Sequence, residues 1–207
     1  AMYAGQLVNS SQGGTLRINA SMLDASLAGA KYSLVNNGNF YADITGQTRL
    51  MGGVDLSGMN VDNEFYLKTE SLYLGGDVSQ LFLNYLNDYQ LIVTDGGINA
   101  GVLQNGVNDA GTINDMAQMT LNINGGVVAD SIMNSGRLLS VVSQGEIYVA
   151  GTISSSNAPA SCAATAFCCD FAVFLSYRSR SRIAWVFKGL FAFFFLLSDK
   201  VEKNFLW

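Results

Sequence analysis

The sequence predicts an all-β fold, a right-handed parallel β-helix in which short strands wind around one axis as a solenoid. Three observations carry this prediction. Glycine pairs return about every twenty residues, a period typical of one solenoid coil. Apolar and polar residues alternate between the pairs, as they do in strands with one buried face. Glycine, asparagine and aspartate separate the short runs and supply the conformations that tight corners need.

The repeat becomes visible when a new line is begun at each glycine pair. The lines are 52–74, 75–95, 96–124 and 125–144, with lengths of 23, 21, 29 and 20 residues, and another line begins at Gly145. Weaker members precede them at Gly13-Gly14 and Asn37-Gly38. We expect each line to form one coil, with coils ~4.8 Å apart and equivalent strands paired in parallel. Five glycines are then expected near one corner: Gly52, Gly75, Gly96, Gly125 and Gly145.

The alternation assigns side chains to the inside or the outside of the coil. Arg17 lies between Leu16 and Ile18, and Tyr66 lies between Phe65 and Leu67. Six residues are predicted to be buried: Leu121, Ile123, Val127, Ile132, Val149 and Ile153. Asparagines at successive corners are expected to stack and to share side-chain hydrogen bonds.

Two alternatives concern local and overall structure. Residues 19–31, NASMLDASLAGAK, are the only helix candidate in residues 1–150, and we expect a loop or a short helix there. A β-sandwich with glycine-rich turns is the alternative to the solenoid. A sandwich has no need for a glycine pair that returns in the same phase, so the solenoid is favoured.

Composition changes abruptly near residue 157. Residues 1–156 contain 21 of the 22 glycines, whereas residues 157–207 contain all three cysteines. The net charge is −8 before this boundary (5 basic, 13 acidic) and +3 after it (6 basic, 3 acidic), which together give −5. We therefore predict a β-helix repeat domain over 1–156 and an apolar, Cys/Phe-rich tail over 157–207. The tail is expected to be helical or disordered and to lie outside the solenoid.

Three origins of this tail stay open. Its two apolar runs, CAATAFCCDFAVFLSY and IAWVFKGLFAFFFLL, flank a basic RSRSR. Each run is shorter than the ~20 residues that span a bilayer. The tail is then a product of frame shift or read-through, an end cap or helical association segment, or a membrane anchor.

The search for chemistry finds no catalytic, cofactor or metal site. The chain has no histidine, which removes Ser-His-Asp and Cys-His catalysis and the commonest metal ligand. The glycine pairs lack the strand, loop and helix context of phosphate-binding loops. A net charge of −5 argues against a nucleic-acid partner. We predict a protein that is not an enzyme, with no cofactor, no metal and no nucleic acid.

Several acidic and aromatic residues are further candidates for a functional role. Five aspartates lie beside Gly or Asn or at expected corners, where turn residues are favoured over catalytic ones: Asp77, Asp95, Asp109, Asp115 and Asp130. Five tyrosines are candidates for a sugar- or protein-binding stripe: Tyr66, Tyr73, Tyr85, Tyr89 and Tyr148. Half-buried strand tyrosines are the favoured interpretation.

Residues of about 96–154 carry a family resemblance. The AIDA-like pattern GG-x-A-x-x-T-x-V-N-S-G-G is matched by Gly125, Gly126, Ala129, Ser131, Ile132, Asn134, Ser135 and Gly136. Gly145, Ala150, Thr152 and Ile153 match more loosely, while Arg137 and Glu146 replace glycines of the pattern. This stretch resembles the passenger repeats of self-associating autotransporter adhesins of Gram-negative bacteria, with filamentous-haemagglutinin-type repeats as a close competitor.

The resemblance implies a β-helix that is secreted or displayed on the bacterial cell surface, outside the outer membrane, and that works in adhesion. Its partners would be host or bacterial cell-surface molecules, other copies of itself, or carbohydrate. Membrane contact would come through a translocator absent from this chain or, less favoured, through the tail. Four hydroxyls would be candidate sugar acceptors: Ser131, Ser135, Ser143 and Thr152. The alternatives are a polysaccharide-degrading or tailspike-like enzyme module and a protein anchored to a membrane by its tail.

Overall fold

The computed structural model describes residues 1–26, 31–108, 110–156, 160–166 and 184–185. It is a β-solenoid of about six turns, so the predicted fold class is confirmed. In these ranges every regular element is a strand except one 3₁₀ turn at Ser79–Leu81.

The first four turns each contain three strands. They are β1 (Met2–Ala4), β2 (Leu7–Asn9) and β3 (Thr15–Ala20); β4 (Leu23–Ala25), β5 (Tyr32–Asn36) and β6 (Asn39–Ile44); β7 (Gln47–Leu50), β8 (Gly53–Asp55) and β9 (Glu64–Thr69); β10 (Ser71–Leu74), β11 (Leu83–Asn84) and β12 (Asp88–Val93). The later strands are β13 (Ile98–Asn105), β14 (Gln118–Ile123), β15 (Val127–Asn134), β16 (Leu138–Val149), β17 (Ile153–Ser155), β18 (Ala160–Ala166) and β19 (Ala184–Trp185). Among them β13 and β15, with 8 residues each, and β16, with 12, are longer than any strand of the first four turns.

Equivalent strands of successive turns pair in parallel and form the walls of the solenoid. The first wall is β1-β4-β7-β10 and the second is β2-β5-β8. The long wall runs β3-β6-β9-β12-β14-β16, and β18 and β19 continue it. A fourth wall, β11-β13-β15, takes the place of the second in the later turns, with β17 and the end of β16 beside β15. Only the long wall is continuous from the first turn to the last.

The core consists of rows in which each inward side chain stacks on its equivalent in the next turn. Phe40 and Phe65 stack with ring centroids 5.1 Å apart, and Phe65 and Tyr89 follow at 4.7 Å. The row continues in register to Met119 and Leu139, both fully buried. Offset stacking of aromatic rings adds about 0.5–1.5 kcal/mol per pair beyond the burial of their area.

Five of the six residues predicted to be buried are buried: Leu121, Ile123, Val127, Ile132 and Ile153. Val149 is only half-buried. It pairs with Ala129 in the final rung of the fourth wall, and within the described ranges no further strand pairs with it from the other side. An inward side chain at the end of a wall is stacked on one face only.

The predicted single glycine corner is two corners. Gly96, Gly125 and Gly145 stack where the long wall meets the fourth wall, because Gly125 N donates to Gly96 O (2.8 Å) and Gly145 N donates to Gly125 O (3.2 Å). A Cβ atom on Gly125 would lie 2.3 Å from the Gly96 carbonyl carbon, so only glycine fits. Gly52 and Gly75 instead follow β7 and β10 at the end of the first wall, and the prediction is wrong for them. Glycine is required at either corner because the backbones of successive turns approach closely there. The presence of glycine therefore does not show at which corner of the coil it lies.

Asparagine ladders form as predicted. Asn9 Nδ2 donates to Asn36 Oδ1 (2.9 Å) in the first two turns. In the later turns Asn84 Nδ2 donates to Asn105 Oδ1 (2.6 Å), and Asn105 Nδ2 donates to Asn134 Oδ1 (2.8 Å). Asn36, Asn84, Asn105 and Asn134 are buried, and each amide that lies inside the corner ties two turns together.

Two local predictions need correction. The helix candidate 19–31 contains the end of β3 and all of β4 in its described part, because its apolar residues continue the wall rows and leave no helical face. Residues Ala160–Ala166 of the predicted tail are neither helical nor outside the solenoid, since β18 pairs in parallel with β16. Except for Ala184–Trp185, residues 167–207 lie outside the described residues, and the domain division at 156 stays a prediction.

We predict that Asn105→Ala destabilises the solenoid by about 3 kcal/mol, because several buried partners lose their hydrogen bond at once. Asn105 Nδ2 also donates to the carbonyl oxygens of Ala117 (3.1 Å) and Leu138 (2.9 Å). Urea and thermal unfolding followed by circular dichroism measure the change. The exposed Asn122→Ala is the control and should stay within about 0.5 kcal/mol of the wild type. Equal effects of the two substitutions would contradict a role for the ladder.

We predict that Thr48→Val stabilises the protein by about 1 kcal/mol. Thr48 is fully buried in β7, and its Oγ1 has no hydrogen-bond partner within the described part of the chain. A buried hydroxyl without a partner costs about 1–3 kcal/mol, and valine keeps nearly the same shape without that polar atom. Thr120→Val, at an outward position, should change the unfolding midpoint little. A lower midpoint for Thr48→Val would show that the hydroxyl is satisfied.

Candidate functional site

The described residues hold no cluster that suggests metal binding. Across residues 1–26, 31–108 and 110–156, no group of three or more Asp, Glu or Cys side chains could hold a metal ion. Histidine is absent from the whole sequence. The predictions of no metal, no cofactor and no catalytic residue stay predictions, because the structure describes only part of the chain.

Most of the predicted turn aspartates lie at corners. Asp77, Asp95 and Asp115 are exposed and lie outside strands, whereas Asp109 lies outside the described residues. Asp77 Oδ1 accepts from the Ser79 hydroxyl (2.7 Å) and the Ser79 amide (3.1 Å), and these hydrogen bonds lower the pKa of Asp77. Asp130 lies within β15 at a bulge, because Ala129 pairs with Gly101 and Ser131 pairs with Val102. A bulge bends the strand, so the position of Asp130 is compatible with a turn role.

The five candidate tyrosines do not form one stripe. Tyr89 is buried, and its hydroxyl donates to Leu81 O. Tyr73 is exposed on the first wall and Tyr148 on the fourth, while half-buried Tyr66 faces outward from the long wall. Tyr85 is half-buried at the corner between β11 and β12. The structure therefore disperses them over several surfaces.

The candidate sugar acceptors differ in exposure. Thr152 is exposed, and Ser131 and Ser135 are half-buried, so glycosylation of these three stays a prediction. Ser143 is buried, and its Oγ lies 2.6 Å from Gly125 O and 3.1 Å from Gly145 O. Ser143 therefore stabilises the glycine corner, and its assignment as an acceptor is wrong.

The outward side chains of the long wall form a flat surface, which we call the outer face. One row along the solenoid axis contains Arg17, Tyr41, Tyr66, Gln90, Thr120 and Ser140. The outer face is charged and aromatic in its first four turns. Where β14 and β16 pair, over residues 118–123 and 138–143, its outward positions carry no charge: Gln118, Thr120, Asn122, Leu138, Ser140 and Val142.

Contacts between turns fix the charged part of the outer face. The Arg17 guanidinium lies 4.5 Å from the centre of the Tyr41 ring, and the Tyr41 hydroxyl donates to Glu64 Oε2. This hydrogen bond raises the pKa of Tyr41. Lys68 Nζ lies 3.8 Å from Asp43 Oδ1. Each of these pairs joins neighbouring turns, so the charges of this part are largely engaged with one another.

A solvent-facing groove of about 730 Å³ lies at the corner between the second and long walls, and we call it the corner groove. Such a volume lies within the usual range of ligand sites. Its apolar lining comes from Leu56, Met59, Val61, Leu83 and Leu86. Its polar lining includes Ser57, Asn60, Asp62, Gln80 and Tyr85. Among the described residues that line the groove, Asp62 is the only ionised side chain, and none is a lysine or arginine.

The corner groove lies where a wall is interrupted. The second wall ends at β8, and the next turn reaches this position with the 3₁₀ turn Ser79–Leu81 instead of a paired strand. The segment 56–63 leaves the coil between β8 and β9 and forms one side of the groove. Leu81 and Phe82 are fully buried, so the core is continuous beneath the interruption. Backbone pairing in the second wall therefore ends here, while Leu81 and Phe82 still fill the core.

Amide side chains hold the corner beside the groove. Asn87 Nδ2 donates to Asp62 Oδ1 (3.1 Å), and Asn114 Nδ2 donates to Asn87 Oδ1 (3.0 Å). Asn63 Nδ2 donates to Gln12 O (3.0 Å), which ties segment 56–63 to the first turn. These contacts give an exposed corner a defined shape. Sequence reasoning missed this site, although the connection of eight residues between β8 and β9 is longer than its equivalents in the other early turns and is a signal for it.

Comparison with protein-family models, with curated proteins and with solved structures finds no match for this chain. Among the described residues no helix is long and apolar enough to cross a membrane. The apolar runs of the predicted tail lie almost entirely outside those residues.

We predict that Tyr89 makes the stability of the protein fall at alkaline pH. Complete burial raises the pKa of Tyr89 far above its usual value of 10, so the neutral phenol is the native form. This contribution is complete below pH ~10 and is lost above it at about 1.4 kcal/mol per pH unit, because only the unfolded chain ionises. Tyr89→Phe removes that part of the alkaline slope, and at pH 8 it costs about 1 kcal/mol for the lost hydrogen bond to Leu81 O.

Urea midpoints measured from pH 8 to pH 11 test this prediction. Tyr3 is 73% exposed, so Tyr3→Phe serves as the control and should keep the wild-type slope. An unchanged slope in Tyr89→Phe would show that other groups govern the alkaline response.

Proposed function

We propose that this chain is a passenger segment of a surface-displayed adhesin and that it mediates attachment between cells, or of cells to surfaces, through its outer face. The observation that carries the proposal is the uncharged part of the outer face on β14 and β16, where in-register strands present amide and hydroxyl groups on a flat surface. The resemblance of residues of about 96–154 to autotransporter repeats supports it, because the same turns form this surface.

Weak contacts are sufficient for such a role. Each polar contact is worth about 0.5–1.5 kcal/mol, and repetition along a solenoid multiplies the contacts between two surfaces. Display of many copies on one cell then gives avidity without a tight individual site. Thr120 and Ser140 are neighbours in register, so a hydroxyl row continues along the axis, with Asn122 beside Thr120 on the same face.

An enzyme acting on polysaccharide is the second candidate function. Glu64 and Asp88 occupy neighbouring positions on β9 and β12, beside Tyr41 and Tyr66 on the same face. A pair of carboxylates next to aromatic side chains is the arrangement that glycoside hydrolysis uses. Both acids are exposed on a flat wall, Glu64 accepts the Tyr41 hydroxyl, and the corner groove contains neither of them. Adhesion is therefore favoured.

The test of adhesion uses the chain displayed on bacteria through an outer-membrane carrier. The variant Thr120→Lys/Asn122→Lys/Ser140→Lys should reduce autoaggregation and surface attachment about tenfold. Three lost contacts of about 0.5 kcal/mol each exceed the 1.4 kcal/mol that corresponds to a factor of ten. Settling rates and counts of attached cells are the measurements.

A matched variant places the same charge on another surface. Gln104→Lys/Met133→Lys/Ser154→Lys modifies one outward row of the fourth wall and should leave attachment within about twofold of the wild type. Circular dichroism must show equal β content in both variants. Equal losses in the two variants would contradict a role for the outer face. Release of reducing ends from a polysaccharide by the purified chain, abolished by Glu64→Gln or Asp88→Asn, would favour the enzyme instead.

A further inference from the structure

We infer that the corner groove is a binding site for a neutral saccharide. The inference rests on the proposed function in one respect only, that the chain is a binding protein and not an enzyme. It assigns a second, concave binding surface to the protein and names the class of ligand that binds there. The groove and the outer face involve different residues, so each can be tested without disturbing the other.

The charge of the lining excludes anionic ligands. Asp62 is the only charged side chain among the described lining residues, and no basic side chain among them offsets it. A phosphate, sulfate or uronic-acid group would meet a carboxylate without a cation, which is unfavourable in a partly desolvated site. In the described part of the lining, a cationic ligand would find a single exposed carboxylate, which already accepts a hydrogen bond from Asn87. A neutral ligand fits the charge of the groove.

The backbone at the interruption excludes addition of a peptide strand. Strand addition needs unpaired backbone donors and acceptors along a sheet edge. Val54 N already donates to Asp77 O (2.9 Å), and Leu56 N donates to the side-chain oxygen of Gln80 (2.6 Å). Across the groove, Leu86 N donates to Asn84 Oδ1 (2.9 Å). These backbone donors are therefore not available to a peptide strand, which favours recognition by side chains.

The lining side chains match the two faces of a sugar ring. A pyranose ring has an apolar face of C–H groups and a rim of hydroxyls that both donate and accept. Half-buried Tyr85 and the apolar residues Leu83 and Val61 supply a surface for the C–H groups. Exposed Ser57 and Asn60 supply a hydroxyl and an amide at the rim, where they can pair with the ring hydroxyls. This mixture of an aromatic surface with a few polar groups is typical of small-molecule sites.

Isothermal calorimetry on the full chain tests the inference. The probes are neutral tetrasaccharides of β-linked glucose, galactose and N-acetylglucosamine, with tetragalacturonate and an alternating Thr-Val hexapeptide as comparators. We expect binding of at least one neutral probe at millimolar or lower concentration. Tyr85→Ala should weaken it about tenfold through loss of the ring surface, and exposed Asn60→Ala should weaken it about threefold. Tyr85→Phe should stay within about twofold of the wild type.

Tyr73→Ala is the matched control, because Tyr73 is an exposed tyrosine on the first wall, and this variant should bind as the wild type does. No heat with any neutral probe would overturn the inference. So would neutral-probe binding that survives both Tyr85→Ala and Asn60→Ala, or tighter binding of the acidic probe or the peptide. These outcomes leave the adhesion proposal intact, since that proposal is tested separately, by the attachment of the two lysine variants and by the assay for polysaccharide cleavage.

Discussion

In-register stacking of successive turns is the constraint on which the rest of this structure depends. Each inward side chain rests on its equivalent one turn away, so the row Phe40, Phe65 and Tyr89 must keep similar size and orientation along the axis. The same register places Asn84, Asn105 and Asn134 within hydrogen-bond distance of one another. Apolar stacking and buried amide ladders therefore support one another, because a slip of one residue would move every side chain to the opposite face.

This constraint explains which features the sequence predicts well. Alternation reports the inward and outward positions directly, so Leu121, Ile123 and Ile132 are predicted correctly from their neighbours alone. Glycine is less informative, since Gly75 and Gly125 both permit close backbone approach and yet lie at different corners. The local sequence indicates a close backbone approach that requires glycine, but it does not show at which corner of the coil that glycine lies.

Other features depend on partners distant in sequence and could not be predicted from one stretch. Ala160–Ala166 has the composition of the tail, and its strand state follows from the exposed edge that β16 offers. The corner groove arises because segment 56–63 and the 3₁₀ turn Ser79–Leu81 meet across consecutive turns. Neither segment carries a motif, so the site is a product of the stacking and not of a sequence signature.

In a regular solenoid the same strands both pair with their neighbours and cover the core. At the corner groove these two roles are separated. Backbone pairing in the second wall ends at β8, while Leu81 and Phe82 keep the core filled and the long wall continues beside it. Loss of pairing therefore leaves the rows inside continuous, while Met59 and Asn63 still anchor segment 56–63 to the solenoid. A solenoid can in this way carry a concave site beside a flat face. The hydrogen bonds of Asn87 with Asp62 and Asn114 then fix the shape of that site from outside the core.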